Sequence, residues 1–94
     1  MQTLFQIGEL HVDDDALQVI RTNGASIHKL LEQHQAGNWG NGIDDADILE
    51  NAHTLALGDG WLTSIHTIGG KPIVITTTLT PASTPNLTEI ELHE

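Results

Sequence analysis

The strongest constraint on this chain is a break in hydrophobic period at Gly58-Asp59-Gly60. Before it, apolar residues recur at helical spacing; after it they alternate, as half-buried strands do. Trp61 to Ile68 and Lys71 to Leu79 read as two strands joined by Gly69-Gly70, a two-residue hairpin turn of the kind that needs positive φ. That turn sets the register. With Ile68 opposite Lys71, His66 meets Ile73, Ser64 meets Ile75 and Leu62 meets Thr77 on one face, the expected core, while Thr76, Thr78 and Thr80 take the other.

Upstream, Gly8 to Val12 reads as a short strand followed by Asp13-Asp14-Asp15, carboxylates suited to the exposed amides of a helix start. A first helix is expected from Asp14 to Thr22, burying Leu17 and Ile20 and stopping at Asn23-Gly24. Ser26 caps a second, in which Ile27, Leu30, Leu31 and His34 share one face, so that His34 points inward. Gly37 ends it, and residues 38–42 form a loop with Trp39 in its middle. The third helix is expected from Asp44, with Asp47 completing the cap, to Leu57, with Gly58 as its stop. Ala46, Leu49, Ala52, His53 and Ala56 give it an apolar stripe that should be buried.

Downstream, two prolines in Thr80-Pro81-Ala82-Ser83-Thr84-Pro85-Asn86 preclude a central strand and imply a loop. A last strand from Leu87 to His93 buries Thr88, Ile90 and Leu92 and wets Glu89, Glu91 and His93. The expectation is an α+β fold of about three helices on one face of a small antiparallel sheet, in the order β-α-α-α-β-β-β. Residues 1–94 are the size of one domain, since two cores would each be too small.

Thirteen acidic residues against Arg21, Lys29 and Lys71 give a formal charge of −10. This opposes direct binding to nucleic acid or to an anionic membrane, and serves either solubility or docking on a basic partner. No cysteine is present, which removes disulfides and thiolate chemistry. The N-terminus lacks the basic start and apolar stretch of a secretion signal, so a cytoplasmic location is expected.

Six histidines invite a metal hypothesis, but no two lie at i, i+3 or i, i+4 within a helix, and no intrinsic metal site is expected. Asp44, Asp45, Asp47 and Glu50 lack the pattern of a helix-loop-helix calcium site and sit where a helix start stabilises their charge, which argues against a catalytic acid. Ser64 and His66 share the predicted core face and read as a hydrogen-bonded structural pair. Phosphate loops and dinucleotide fingerprints are missing, so neither a cofactor nor catalytic residues are assigned. Protonating all six histidines would take the formal charge from −10 to −4 below about pH 6, making acid-dependent association an expectation.

There remains His34-Gln35-Ala36-Gly37-Asn38-Trp39-Gly40. One reading makes Trp39, with Asn38 and the acidic residues Asp44, Asp45, Asp47 and Glu50, an exposed docking surface. The other folds Trp39 back over His34, whose ring nitrogens bond loop carbonyls, with Gly37 and Gly40 shaping the backbone. The segment resembles one shared by a family of small proteins of plasmids, phages and other mobile elements, His-x-x-Gly-(Asp or Asn)-Trp-Gly between two helices. The likeness includes the helix region Ala16 to Leu31, the acidic third helix, and the strands around Leu62-Thr63-Ser64 and Ile73-Val74-Ile75-Thr76. It departs at Thr76 to Pro85, where relatives carry acidic residues and Arg.

The resemblance implies an accessory role on a mobile element. With the charge, it leads to an expected non-enzymatic binding or inhibitory protein that docks on a host protein with a basic surface, such as a nuclease or defence complex in the anti-restriction or anti-CRISPR manner. A small metal-dependent hydrolase and a self-associating regulatory or assembly subunit are the alternatives, with monomer and homodimer both open.

Overall fold

The computed structural model describes residues 3–80 and 85–93. Its elements run β1 (Glu9–Val12), α1 (Asp14–Thr22), α2 (Ile27–Gln35), α3 (Asp45–Leu57), β2 (Gly60–Ile68), β3 (Lys71–Leu79) and β4 (Leu87–Leu92), the expected α+β order. The strands form one sheet in the order β1-β4-β3-β2. The loop expected across residues 81–84 lies outside the described residues.

The hairpin has the register that the turn dictates: Ile68 faces Lys71, His66 faces Ile73, Ser64 faces Ile75 and Leu62 faces Thr77. Gly69 and Gly70 carry φ of 58° and 77°, a backbone that side-chain-bearing residues rarely adopt. β4 continues antiparallel on β3, setting Ile90 beside Ile75 and Thr88 beside Thr77. The sheet is not antiparallel throughout, however. β1 pairs with β4 in parallel, anchored by Glu9 N–H to Asn86 C=O at 2.8 Å and Asp13 N–H to Ile90 C=O at 2.9 Å. The helices and the hairpin lie between β1 and β4 in the chain and supply the long crossover that parallel pairing needs.

α1 and α2 cover one face of the sheet. Asp14 and Asp15 fill the first turn of α1. The Ser26 hydroxyl accepts from Lys29 N–H at the start of α2. Ala16, Ile20 and Leu30 pack on Ile73, Ile75 and Ile90 as the main apolar cluster. Each fully buried aliphatic side chain there contributes about 1.5–3 kcal/mol. In α1 Ile20 is buried as expected, but its inward companion is Ala16, one turn earlier, while Leu17 is only half-buried.

α3 departs further. Its cap is as expected, the Asp44 carboxylate accepting from Asp47 N–H at 2.8 Å, and Gly58 closes it at φ 71°. Yet every residue of the stripe assigned to the core, Ala46, Leu49, Ala52, His53 and Ala56, is exposed. The buried positions are Asn51 and Thr54. The Asn51 amide donates to Thr63 C=O and accepts from Thr63 N–H, each at 2.8 Å. α3 therefore lies along the outer edge of β2, where Asn51 satisfies backbone polar groups as a methyl could not, and beside it half-buried Leu55 packs against Phe5, Leu62 and Leu79.

Candidate functional site

Residues 34–42 build a connection from the end of α2 to the same β2 edge. Asn38 N–H returns to Gln33 C=O at 2.9 Å and Gly37 N–H to His34 C=O at 3.2 Å, the paired bonds of a left-handed helix stop, with Gly37 at φ 86°. The chain then runs beside β2. Ile65 N–H bonds Trp39 C=O, Gly42 N–H bonds Ile65 C=O, each at 2.9 Å, and Thr67 N–H bonds the Asn41 side-chain oxygen at 2.8 Å. With Asn51 on Thr63, the outward N–H and C=O of Thr63 and Ile65 and the N–H of Thr67 are occupied. A Cβ on Gly40 would stand 2.2 Å from Ile65 O, so only glycine lets the two backbones meet. The β2 edge is thus covered from Thr63 to Thr67 and is not open there to another strand.

Trp39 is half-buried and folds back. Its ring meets His34 edge-on at 5.6 Å and stacks with Phe5 at 6.4 Å, while Phe5 also meets His34 edge-on at 5.0 Å. Trp39 thus covers His34, as the second of its two readings expected, and is half-buried instead of fully exposed. The ring nitrogens of His34 do not take loop carbonyls, though. Nδ1 bonds Ser64 Oγ and Nε2 bonds Thr77 Oγ1 at 2.9 Å. Ser64 is therefore the partner of His34, not of His66 as expected.

The chain of hydroxyls fixes the proton positions. Ile7 C=O can only accept, so Thr88 Oγ1 donates to it at 2.8 Å and must accept from Thr77 Oγ1 at 2.7 Å. Thr77 then accepts from Nε2–H of His34, which leaves Nδ1 to accept from the Ser64 hydroxyl. His34 is a neutral imidazole, and burial, with a smaller contribution from nearby His66, pushes its pKa down to about 3. A serine donating to an imidazole nitrogen is the arrangement of an activated nucleophile. Here the third group is a threonine instead of a carboxylate, and His34, Ser64, Thr77 and Thr88 are all 0% exposed, so no substrate reaches Ser64. The geometry joins α2 to three strands.

His66, the next inward residue of β2, is buried with no partner for Nε2, and burial lowers its pKa as well. The expected charge change from −10 to −4 below pH 6 is therefore not reached in the folded chain, because His34 stays neutral. Asn38, Asp44, Asp45 and Glu50 are exposed and Asp47 half-buried. Burial first, then the Asp44 carboxylate and Glu50, raise the Asp47 pKa. No group of three metal-ligating side chains gathers among the described residues, and no described helix is long and apolar enough to cross a membrane.

The acidic start of α3 adjoins its outward stripe. Leu49 is 72% and Leu57 65% exposed, and Trp61 follows at 62%. Of these, Leu49 belongs to the stripe that the sequence assigned inward. Sequence reasoning missed the polar chain, although the signal was present: Ser64, Thr77 and Thr88 all occupy inward positions of alternating strands, opposite an inward His34. No protein-family model, curated protein or solved structure matches the chain.

Proposed function

We propose that this protein is a non-enzymatic binding or inhibitory module that docks on a host protein through the outer face of α3, joining an apolar stripe to an acidic rim. The observation that carries this reading is the exposure of Leu49 and Leu57 on the helix that Asp44, Asp45 and Glu50 begin, with Trp61 exposed at the start of the following strand. Helix stripes of this kind are ordinarily buried, and a large exposed apolar patch rimmed by polar groups is the mark of an interaction site. The formal charge of −10 selects a basic partner, steers the encounter and disfavours a second copy of the same chain. Resemblance to mobile-element proteins supplies the setting, in which a nuclease or defence complex with a basic nucleic-acid channel is such a partner. The sealing of Ser64 and His34 favours binding over hydrolysis.

The test is binding to purified restriction and CRISPR effector complexes. The wild type is compared with a Leu49→Ser/Trp61→Ser variant and with Asp44→Asn/Asp45→Asn/Glu50→Gln, after circular dichroism shows that all are folded. Binding that weakens at least tenfold in both variants, with added salt weakening the wild type, is expected. Unchanged binding in both variants rules out this face.

A further inference from the structure

Between the start of α2 and the end of β2 lies a cleft of about 510 Å³, a volume ordinary for small-molecule sites. Its polar wall is Ser26, Lys29, Gln33, Asn38, Asn41, His66 and Thr67, and Leu30 and Ile68 supply apolar surface. Although the chain carries thirteen carboxylates, none lines this cleft, while one of its three Lys and Arg residues, Lys29, does.

The hydrogen bonds around the wall determine which polar atoms remain. Backbone N–H groups can only donate, so the Asn41 oxygen is committed to Thr67 N–H and the Asn38 oxygen to Gly40 N–H, leaving each amide its NH₂ donor. The Ser26 oxygen is likewise committed to Lys29 N–H, leaving its hydroxyl proton. Lys29 is a cation at the positive end of α2. His66, 9% exposed, holds a buried Nε2 without a partner, and a buried nitrogen of that kind costs free energy until something bonds it. Lys29 and the NH₂ groups of Asn38 and Asn41 thus offer donors, Ser26, Thr67 and Gln33 can add theirs, and the unpartnered His66 nitrogen lies sealed within a residue of the same wall.

We infer that this cleft binds a small organic anion, its carboxylate or phosphate head taken by Lys29, His66 and the amides of Asn38 and Asn41, and its apolar body laid on Leu30 and Ile68. The site is distinct from the outer face of α3 and does not rest on the docking reading. Loss of one charged donor from such a head weakens binding at least tenfold.

The experiment follows the backbone amides of Lys29 and Asn41 and the His66 imidazole nitrogens by NMR at constant ionic strength. Benzoate and phenyl phosphate are titrated as probes, with benzamide as the neutral isostere of benzoate. Saturable shifts at these three residues with either anion are expected, at least tenfold weaker with benzamide for benzoate, and at least tenfold weaker for both anions in Lys29→Gln. The more tightly held anion identifies the head group. Asn41→Asp keeps an oxygen for Thr67 N–H while replacing the donor with a charge, and it is expected to abolish the shifts in a folded protein. Neither anion saturating, benzamide matching benzoate, or Asn41→Asp binding like the wild type overturns the inference.

Discussion

α1 and α3 meet the same sheet in opposite ways. α1 lies over side chains and turns Ala16 and Ile20 inward, whereas α3 lies against a strand edge and turns Asn51 and Thr54 inward, leaving Leu49 in solvent. The difference is a consequence of what each helix touches. A sheet face offers methyl groups, so an apolar stripe is the complement; a sheet edge offers N–H and C=O groups, so the complement is an amide. Hydrophobic periodicity therefore points to the core only for a helix lying over a face.

The largest effect is expected where the comparison is least tidy, at His34, which lies over the face yet is polar. His34→Leu removes the acceptor of the Ser64 hydroxyl and the donor to Thr77 in a site closed to water. Two unsatisfied buried groups predict a loss of about 4 kcal/mol in urea unfolding. Adding Ser64→Ala should restore about 1 kcal/mol by removing one orphan. A His34→Leu protein as stable as wild type would show that apolar matching alone suffices over the face.

Next in size, Asn51→Leu and Ile20→Ala test the two halves of the comparison side by side. Asn51→Leu strips both bonds from Thr63 and should cost about 3 kcal/mol despite adding apolar surface. Ile20→Ala, a cavity in the apolar cluster, should cost about the same by a different mechanism. If Asn51→Leu proved neutral, water or another group would be satisfying the β2 edge, and the account of α3 would fail.

What the sequence made legible follows the same division. The hairpin register, the caps at Ser26 and Asp44 and the stop at Gly37 all depend on residues within a few positions of one another, and each could be read from local chemistry. The parallel pairing of β1 with β4 could not, because it depends on where a long crossover lands. Nor could the orientation of α3, since Leu49 and Asn51 are both reasonable inward residues until the neighbour is known to be an edge. The motif from His34 to Gly40 was recognisable as a unit, but its purpose, joining α2 to the edge at Ile65, depends on a strand far along the chain.

A smaller effect separates the two regions by pH. In the folded chain His34 stays neutral down to about pH 3, while in the unfolded chain its imidazole takes a proton near pH 6.5. The unfolded state thus binds more protons between those values, so stability falls as pH drops below about 6.5, by at most about 1.4 kcal/mol per unit from this group. Unfolding midpoints between about pH 6.5 and 4.5, above the usual carboxylate range, should decline in the wild type and decline less steeply in His34→Leu, where His66, its pKa also lowered by burial, still contributes. Equal slopes would place the acid sensitivity elsewhere.

The smallest stability effect is expected at Leu49, and it is the most direct check on α3. A leucine buried in a core costs about 2–5 kcal/mol on truncation, whereas one that is 72% exposed should change stability by less than about 0.5 kcal/mol. Leu49→Ser should accordingly unfold at the wild-type urea midpoint while weakening the docking assigned to this face. A shift of several kcal/mol would return the stripe to the core and remove the surface on which that docking depends. A silent Leu49→Ser beside a damaging Asn51→Leu, two residues away on the same helix, would establish that the polar side of α3 carries the fold and leaves its apolar side free for a partner.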